Sequence, residues 1–171
     1  ARFANALVHL GCQPADLTWR AGVDALSFGA TKNGALCAEA VIFFDKAKAA
    51  DFEYRRKKSG HLLSKMRFIS AQIDTYLTDD LWLRNAGRAN ALARKLADAL
   101  RTAKDVTIAH PVEGNQVFAE LPVDLSDKLR AAGAHYYDWA PAKDGRVVVR
   151  LVTSFATPEA DVEKFVQLAR A

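Results

Sequence analysis

One lysine stands alone in the small-residue stretch Ser27-Phe28-Gly29-Ala30-Thr31-Lys32-Asn33-Gly34, between the runs Val23-Asp24-Ala25-Leu26 and Cys37–Phe44. Strand, glycine-bounded loop, strand is an uncommon setting for a single ammonium group. Gly29 and Gly34 permit positive φ or a close approach to a ligand, and the small neighbours leave room around the amine. Held on strands in a partly desolvated pocket, Lys32 would have its pKa lowered, and its neutral amine could attack a carbonyl to form a Schiff base. The same spacing also describes an ordinary surface lysine in a hairpin turn, and these residues alone leave both readings open. Arg150 is the second candidate. It lies inside Val147–Val152, a strand otherwise made of valine and leucine, where a charge is costly to bury unless it is paired or bound to an anion.

The elements that must position these cations can be read from periodicity. Phe3, Ala6, Leu7 and Leu10 predict a first helix stopped by Gly11, and Pro14–Thr18 predicts a short helical turn. Ala25–Phe28 and Cys37–Phe44 read as strands, the second apolar enough over its last residues to be covered on both faces. Asp51 is placed to cap a long helix from Phe52 to Leu77, in which Gly60 costs about 1 kcal/mol against alanine and marks a kink or a break. A second long helix is expected from Asp79-Asp80 to Thr102, with Ala89, Leu92, Leu96 and Leu100 on one side. Beyond it, Val106–Ala109, the period-two Gln116–Leu121, His135–Trp139 and Arg146–Val152 read as strands, with a turn at Asp144-Gly145. Val123–Ala132 reads as a helix ended by Gly133. A final helix is expected with Thr157 as its cap, Pro158 at its first position, and Val162, Phe165, Val166 and Ala169 buried. Short strands crossed by helices make a compact α+β unit from about residue 79 onward.

Composition sets bounds. The 171 residues are half hydrophobic and carry a net charge of +4, with no arginine-rich stripe interleaved with aromatics, so a nucleic-acid partner is not expected. The run Arg55-Arg56-Lys57-Lys58 reads first as a solvated helix face, against a phosphate or acidic-partner site. Cys12 and Cys37 have neither zinc nor thioredoxin spacing and suit buried or free thiols of a reducing compartment. No apolar run reaches membrane length, and no metal site is expected. A cytoplasmic protein is the expectation. The four histidines, His9, His61, His110 and His135, read as structural or exposed.

Taken together, Ala1–Ala6, Gly22–Gly34, Lys65–Phe68, Thr78–Ala86 and Val149–Thr153 resemble the pyridoxal-phosphate lysine region of low-specificity L-threonine aldolases, in order and over essentially the whole chain. The resemblance implies an α/β fold class: the end of a pyridoxal-phosphate fold type I large domain plus a small α+β C-terminal domain. Residues 1–78 would hold the last part of the large domain and the connecting helix, and residues 79–171 the small domain. It implies cleavage of L-threonine, L-allo-threonine and related β-hydroxy-α-amino acids to glycine and an aldehyde, with pyridoxal 5'-phosphate as cofactor. The assembly implied is a homotetramer, a dimer of dimers. Lys32 matches the family's Schiff-base lysine. Arg2 and Arg150 match two arginines that hold the substrate carboxylate, a role suited to the planar guanidinium fork. Arg67 matches an arginine near the cofactor phosphate.

The family's aspartate opposite the pyridine nitrogen, its ring-stacking histidine and its phosphate-cradling loop would fall upstream of Ala1. The chain reads as one that begins in mid-fold, and it is expected to be a fragment lacking an N-terminal half and catalytically incomplete by itself. Two other readings stay open: another fold type I lyase performing β-elimination or transamination, and a non-catalytic assembly module in which Lys32 is idle. A nucleic-acid binder acting through Arg55–Lys58 would be retained on polyanions in a salt-sensitive way.

Overall fold

The computed structural model describes residues 1–171, and the chain divides into two units, Ala1–Asn85 and Ala86–Ala171. The first begins with helix α1 (Phe3–Leu10) and two short 3-10 turns, Pro14–Leu17 and Trp19–Ala21. Strands β1 (Ala25–Gly29) and β2 (Glu39–Phe43) then pair antiparallel, with Ser27 opposite Val41, and the 3-10 turn Thr31–Asn33 lies between them. Helices α2 (Phe52–Lys58) and α3 (Met66–Leu77) follow, and α4 (Leu81–Leu100) starts in this unit.

Several sequence expectations shift here. The α1 face that turns inward is Ala4, Asn5 and Leu7, while Ala6 and Leu10 are exposed. Phe3 sets that phase, because its ring packs on Phe28 and Trp82 with centroids 6.2 and 6.3 Å away. The expected helix from Phe52 to Leu77 is two helices. It breaks where Gly60 takes φ 73°, a left-handed value that no helix interior accommodates. Asp51 makes no side-chain cap to α2. Strand β2 is not covered on both faces: Val41 and Ile42, which point to opposite faces, are both exposed. Between α3 and α4, Asp79 and Asp80 take φ 49° and 55°, and Arg84 donates to the Asp79 carbonyl across the bend. Short Asp side chains tolerate that region better than branched ones.

The second unit is a four-stranded antiparallel sheet with strand order β3-β4-β6-β5: β3 is Thr107–Ile108, β4 Gln116–Pro122, β5 Tyr137–Asp138 and β6 Arg146–Val152. Helix α5 (Val123–Ala131) follows β4, and α6 (Glu159–Arg170) ends the chain. Alternation does what period two requires. Val117, Ala119 and Leu121 of β4 and Val147, Val149 and Leu151 of β6 turn to one face and are buried, together with Leu92, Leu96 and Leu100 of α4, Leu129 of α5, and Val162 and Val166 of α6. The opposite face carries Phe118, Glu120, Arg146, Val148 and Arg150, all half-buried. Phe165 is half-buried where the stripe predicted a core position. Thr157 does not cap α6, because its hydroxyl accepts from the Ser154 amide and so closes the preceding loop.

Candidate active site

The backbone around Lys32 is tied down from three directions. Across the mouth of the hairpin, the Ala30 amide donates to the Ala38 carbonyl at 2.9 Å and the Ala38 amide donates to Thr31 Oγ1 at 3.1 Å. Buried Asn33 is the inner post. Its Nδ2 donates to the Tyr76 hydroxyl at 2.7 Å and to the Trp82 carbonyl at 2.8 Å, and its own carbonyl accepts from Asn85 Nδ2 at 2.9 Å. On the far side, Gln72 Oε1 of α3 accepts from the Leu36 and Cys37 amides at 2.9 and 3.1 Å. Gly34 takes φ 132°, where a side chain would be strained. With Ala30 and Asn33 turned inward and buried, the turn presents Lys32 outward. The amine is exposed and has no hydrogen-bond or ion-pair partner; the partial enclosure expected from the small neighbours is not supplied by this chain's own residues.

Four rings hold the elements of this unit together. Phe28 of β1 lies within 6.0 Å of Tyr76 and 5.7 Å of Trp82, centroid to centroid, and Phe3 joins both Phe28 and Trp82. Arg2, half-buried, is the residue before Phe3 at the start of α1. Arg67 lies in the first turn of α3, the helix that tethers the loop through Gln72; it is exposed, and its guanidinium lies 4.8 Å from the Phe68 centroid. Helices α1 and α3, near whose starts Arg2 and Arg67 lie, and the turn that carries Lys32 are thus fixed to one another by ring contacts and by Gln72. Burial pushes the Tyr76 phenol above its ordinary value; the bond from Asn33 opposes this, and the nearby charge of Glu39 adds to it. Arg55–Lys58 form the last turn of α2, where positive charge meets the negative end of the helix.

Arg150 belongs to the second unit. It sits on the open face of the sheet, directly opposite Phe118 of β4 and Tyr137 of β5. Its guanidinium lies 5.8 Å from the Tyr137 ring centroid and 5.3 Å from that of Trp139, and Trp139 in turn meets Phe118 edge-on at 5.1 Å. No carboxylate pairs with it, and its Nε is buried without a hydrogen-bond partner. The strand under it is anchored just beyond its end: the Thr153 hydroxyl donates to the Ala89 carbonyl at 2.8 Å, and Asn115 Nδ2 donates to the Thr153 carbonyl at 2.6 Å. An open cleft of about 620 Å³ is lined by Arg150, Arg130, His135, Tyr136, Tyr137 and Val152. Arg130 is neutralised there by Asp138 at 2.6 Å, which leaves Arg150 as the arginine of the cleft with no acid opposite it.

Sequence reasoning missed Asn33, Tyr76, Gln72, Tyr137 and Trp139. Tyr137-Asp138-Trp139 did carry a signal, since two aromatics at period two share a strand face. Asn33 carried none, because an asparagine in a turn reads as solvent-facing until its partners on α3 and α4 are known.

The chain belongs to the beta-eliminating lyase family, whose model matches residues 1–123. It is 45% identical over 170 residues to the low specificity L-threonine aldolase of Pseudomonas aeruginosa, covering 99% of this chain and 47% of that protein. It is 42% identical over 171 residues to the protein of the same name from a Pseudomonas species, covering 100% of this chain and 48% of that protein. The chain therefore spans about half the length of the curated relatives it matches. The structure of Leishmania major threonine aldolase superimposes with a TM-score of 0.91 at 29% identity, over 99% of this chain and 49% of that one. The mixed α/β architecture implied by the resemblance is the one observed.

Proposed function

We propose that this chain is the lysine-bearing part of a pyridoxal-phosphate-dependent aldehyde-lyase that cleaves L-threonine, L-allo-threonine and related β-hydroxy-α-amino acids to glycine and an aldehyde. The observation that carries the reading is Lys32: an amine with no acidic partner, on a turn pinned by Asn33, Thr31 and Gln72. That donor set fits an aldehyde cofactor, since a paired lysine would have to give up its ion pair before reacting. Arg67, exposed and without a carboxylate, suits the cofactor phosphate.

When bound, the cofactor supplies a conjugated ring that accepts the electron pair of the breaking Cα–Cβ bond. Lys32 would hold it covalently. Arg150 and Arg2 would grip the substrate carboxylate and so limit rotation about N–Cα, setting which bond at Cα is broken. In the overall reaction the Cα–Cβ bond breaks, the β-hydroxyl loses its proton as the aldehyde carbonyl forms, and Cα takes up a proton. We place residues 1–78 at the end of the cofactor domain and 79–171 in the small domain, and we read the working protein as a cytoplasmic homotetramer. No helix is long and apolar enough to cross a membrane.

The description of the family as beta-eliminating favours one second reading, loss of the β-substituent with release of ammonia and a 2-oxo acid. Product analysis of the full-length protein on L-threonine separates the two: glycine and acetaldehyde support the aldolase, ammonia and a 2-oxo acid the alternative. Lys32→Ala in that protein is expected to lower turnover at least about a thousandfold. With the cofactor removed, variant and parent should melt at the same temperature, because the side chain is exposed and has no hydrogen-bond or ion-pair partner in the chain. Borohydride reduction followed by peptide mapping should fix the cofactor on Lys32. Near-normal cleavage by the variant would remove the assigned role.

A further inference from the structure

The aromatic pair beside Arg150 has no evident purpose in the fold. Tyr137 is 74% exposed and Trp139 54% exposed, so neither contributes much to the core. Both sit on the short edge strand and its continuation, which is held to β6 at Asp138 opposite Val149 and by the Trp139 amide donating to the Val148 carbonyl at 2.7 Å. That register puts both rings on the open face, against the guanidinium of Arg150.

An arginine without an acid would ordinarily sample several rotamers, and its side chain carries roughly 2 kcal/mol of rotamer entropy. Ring faces attract the cation by their quadrupole and accept no N–H bond along the guanidinium edge. They can restrain the group while leaving its donors for a ligand. Phe118, opposite Arg150 on the other side and edge-on to Trp139, backs the pair.

We infer that Tyr137 and Trp139 are positioning residues: they hold the Arg150 guanidinium in one orientation for a substrate carboxylate. This rests on the aldolase reading, so the test has two arms whose failures differ. In the first, kcat/KM for L-threonine is measured in the full-length enzyme carrying Tyr137→Leu, Tyr137→Phe, Trp139→Leu or Trp139→Phe. Each leucine variant should lose about fivefold and each phenylalanine variant should stay within about twofold of the parent. In the second arm, phenylglyoxal modification of Arg150 is followed by peptide mass mapping, without substrate. Its rate should rise severalfold in the leucine variants and remain at the parental value in the phenylalanine ones.

Leucine variants with parental kcat/KM and parental labelling would overturn the inference. So would phenylalanine variants that fall as far as the leucine ones, since shape rather than the ring face would then be what matters. If the parent releases no glycine from L-threonine, the aldolase reading fails, and the labelling arm alone decides between a restrained and an unrestrained Arg150. Circular dichroism of each variant guards against misfolding, and the phenylalanine variants retain the ring packing should the leucine ones not fold.

Discussion

Strand β6 carries two arginines on the same face, Arg146 at its start and Arg150 further along, and the protein treats them oppositely. Arg146 is paired: its Nε donates to Glu120 Oε1 at 3.0 Å, and its Nη2 donates to the carbonyls of Asp105 at 2.9 Å and Glu120 at 3.3 Å. Arg150 has ring faces beside it, no carboxylate, and a buried Nε with no acceptor. A guanidinium that serves the fold is given its acceptors by neighbouring strands and loops. Arg150 is instead flanked by ring faces, which cannot accept its protons along the guanidinium edge. The difference lies entirely in the neighbours, because both residues sit half-buried in the same backbone conformation.

Substitutions at the two arginines should therefore separate activity from stability. The largest effect is expected from Arg150→Gln in the full-length protein. Loss of a bidentate, charge-assisted grip should lower kcat/KM for L-threonine by about a hundredfold, with the midpoint of thermal unfolding unchanged. A melting temperature that falls along with activity would erase the distinction. Arg146→Met should do the reverse. It removes a half-exposed ion pair and two bonds to carbonyls, costing about 1 kcal/mol by urea titration while kcat/KM stays at the parental value.

The smallest effect sharpens the point that pairing alone does not make a cation structural. Lys95 of α4 bridges Glu159 at 2.5 Å and Glu163 at 2.8 Å on α6, yet all three side chains are largely exposed. Its hydrogen bond and charge hold the Glu159 carboxyl below the usual carboxylate range, and the lysine's own pKa is raised by the two glutamates. A carboxylate whose pKa is depressed by folding contributes stability above its unfolded value, near 4.5, and loses it as pH falls through the lowered one. Lys95→Gln should thus melt slightly below the parent at pH 7 in low salt. The gap should close as pH falls below 4.5 and in high salt. A large gap that survives salt would mean that exposed pairs matter here as much as the half-buried one at Arg146.

How legible all this was depended on the range of the interaction. The strands β4 and β6 and the α4 stripe of Leu92, Leu96 and Leu100 were readable because alternation and helical repeat are local patterns that burial enforces. The break at Gly60 was readable as a weak point but not as a seven-residue gap between α2 and α3, which run from Phe52–Lys58 and Met66–Leu77. Thr157 misled because a threonine before Pro158 is also what a closing loop needs, and the Ser154 amide took its hydroxyl. Asn33 was invisible, since its bonds reach Tyr76 and Trp82, far along the chain.

By itself, the order of residues determined that a lone lysine would sit in a turn between strands, that an arginine would interrupt a valine strand, and which face of that strand would be buried. These follow from backbone periodicity and from the cost of hiding a charge. Only the tertiary structure decided that Lys32 points outward from a turn nailed down by Asn33, and that Arg146 is bound while Arg150 is held between rings. Hydrogen-bond and ring partners are chosen by strand register and by helix packing across distant segments, and neither is written in any local pattern.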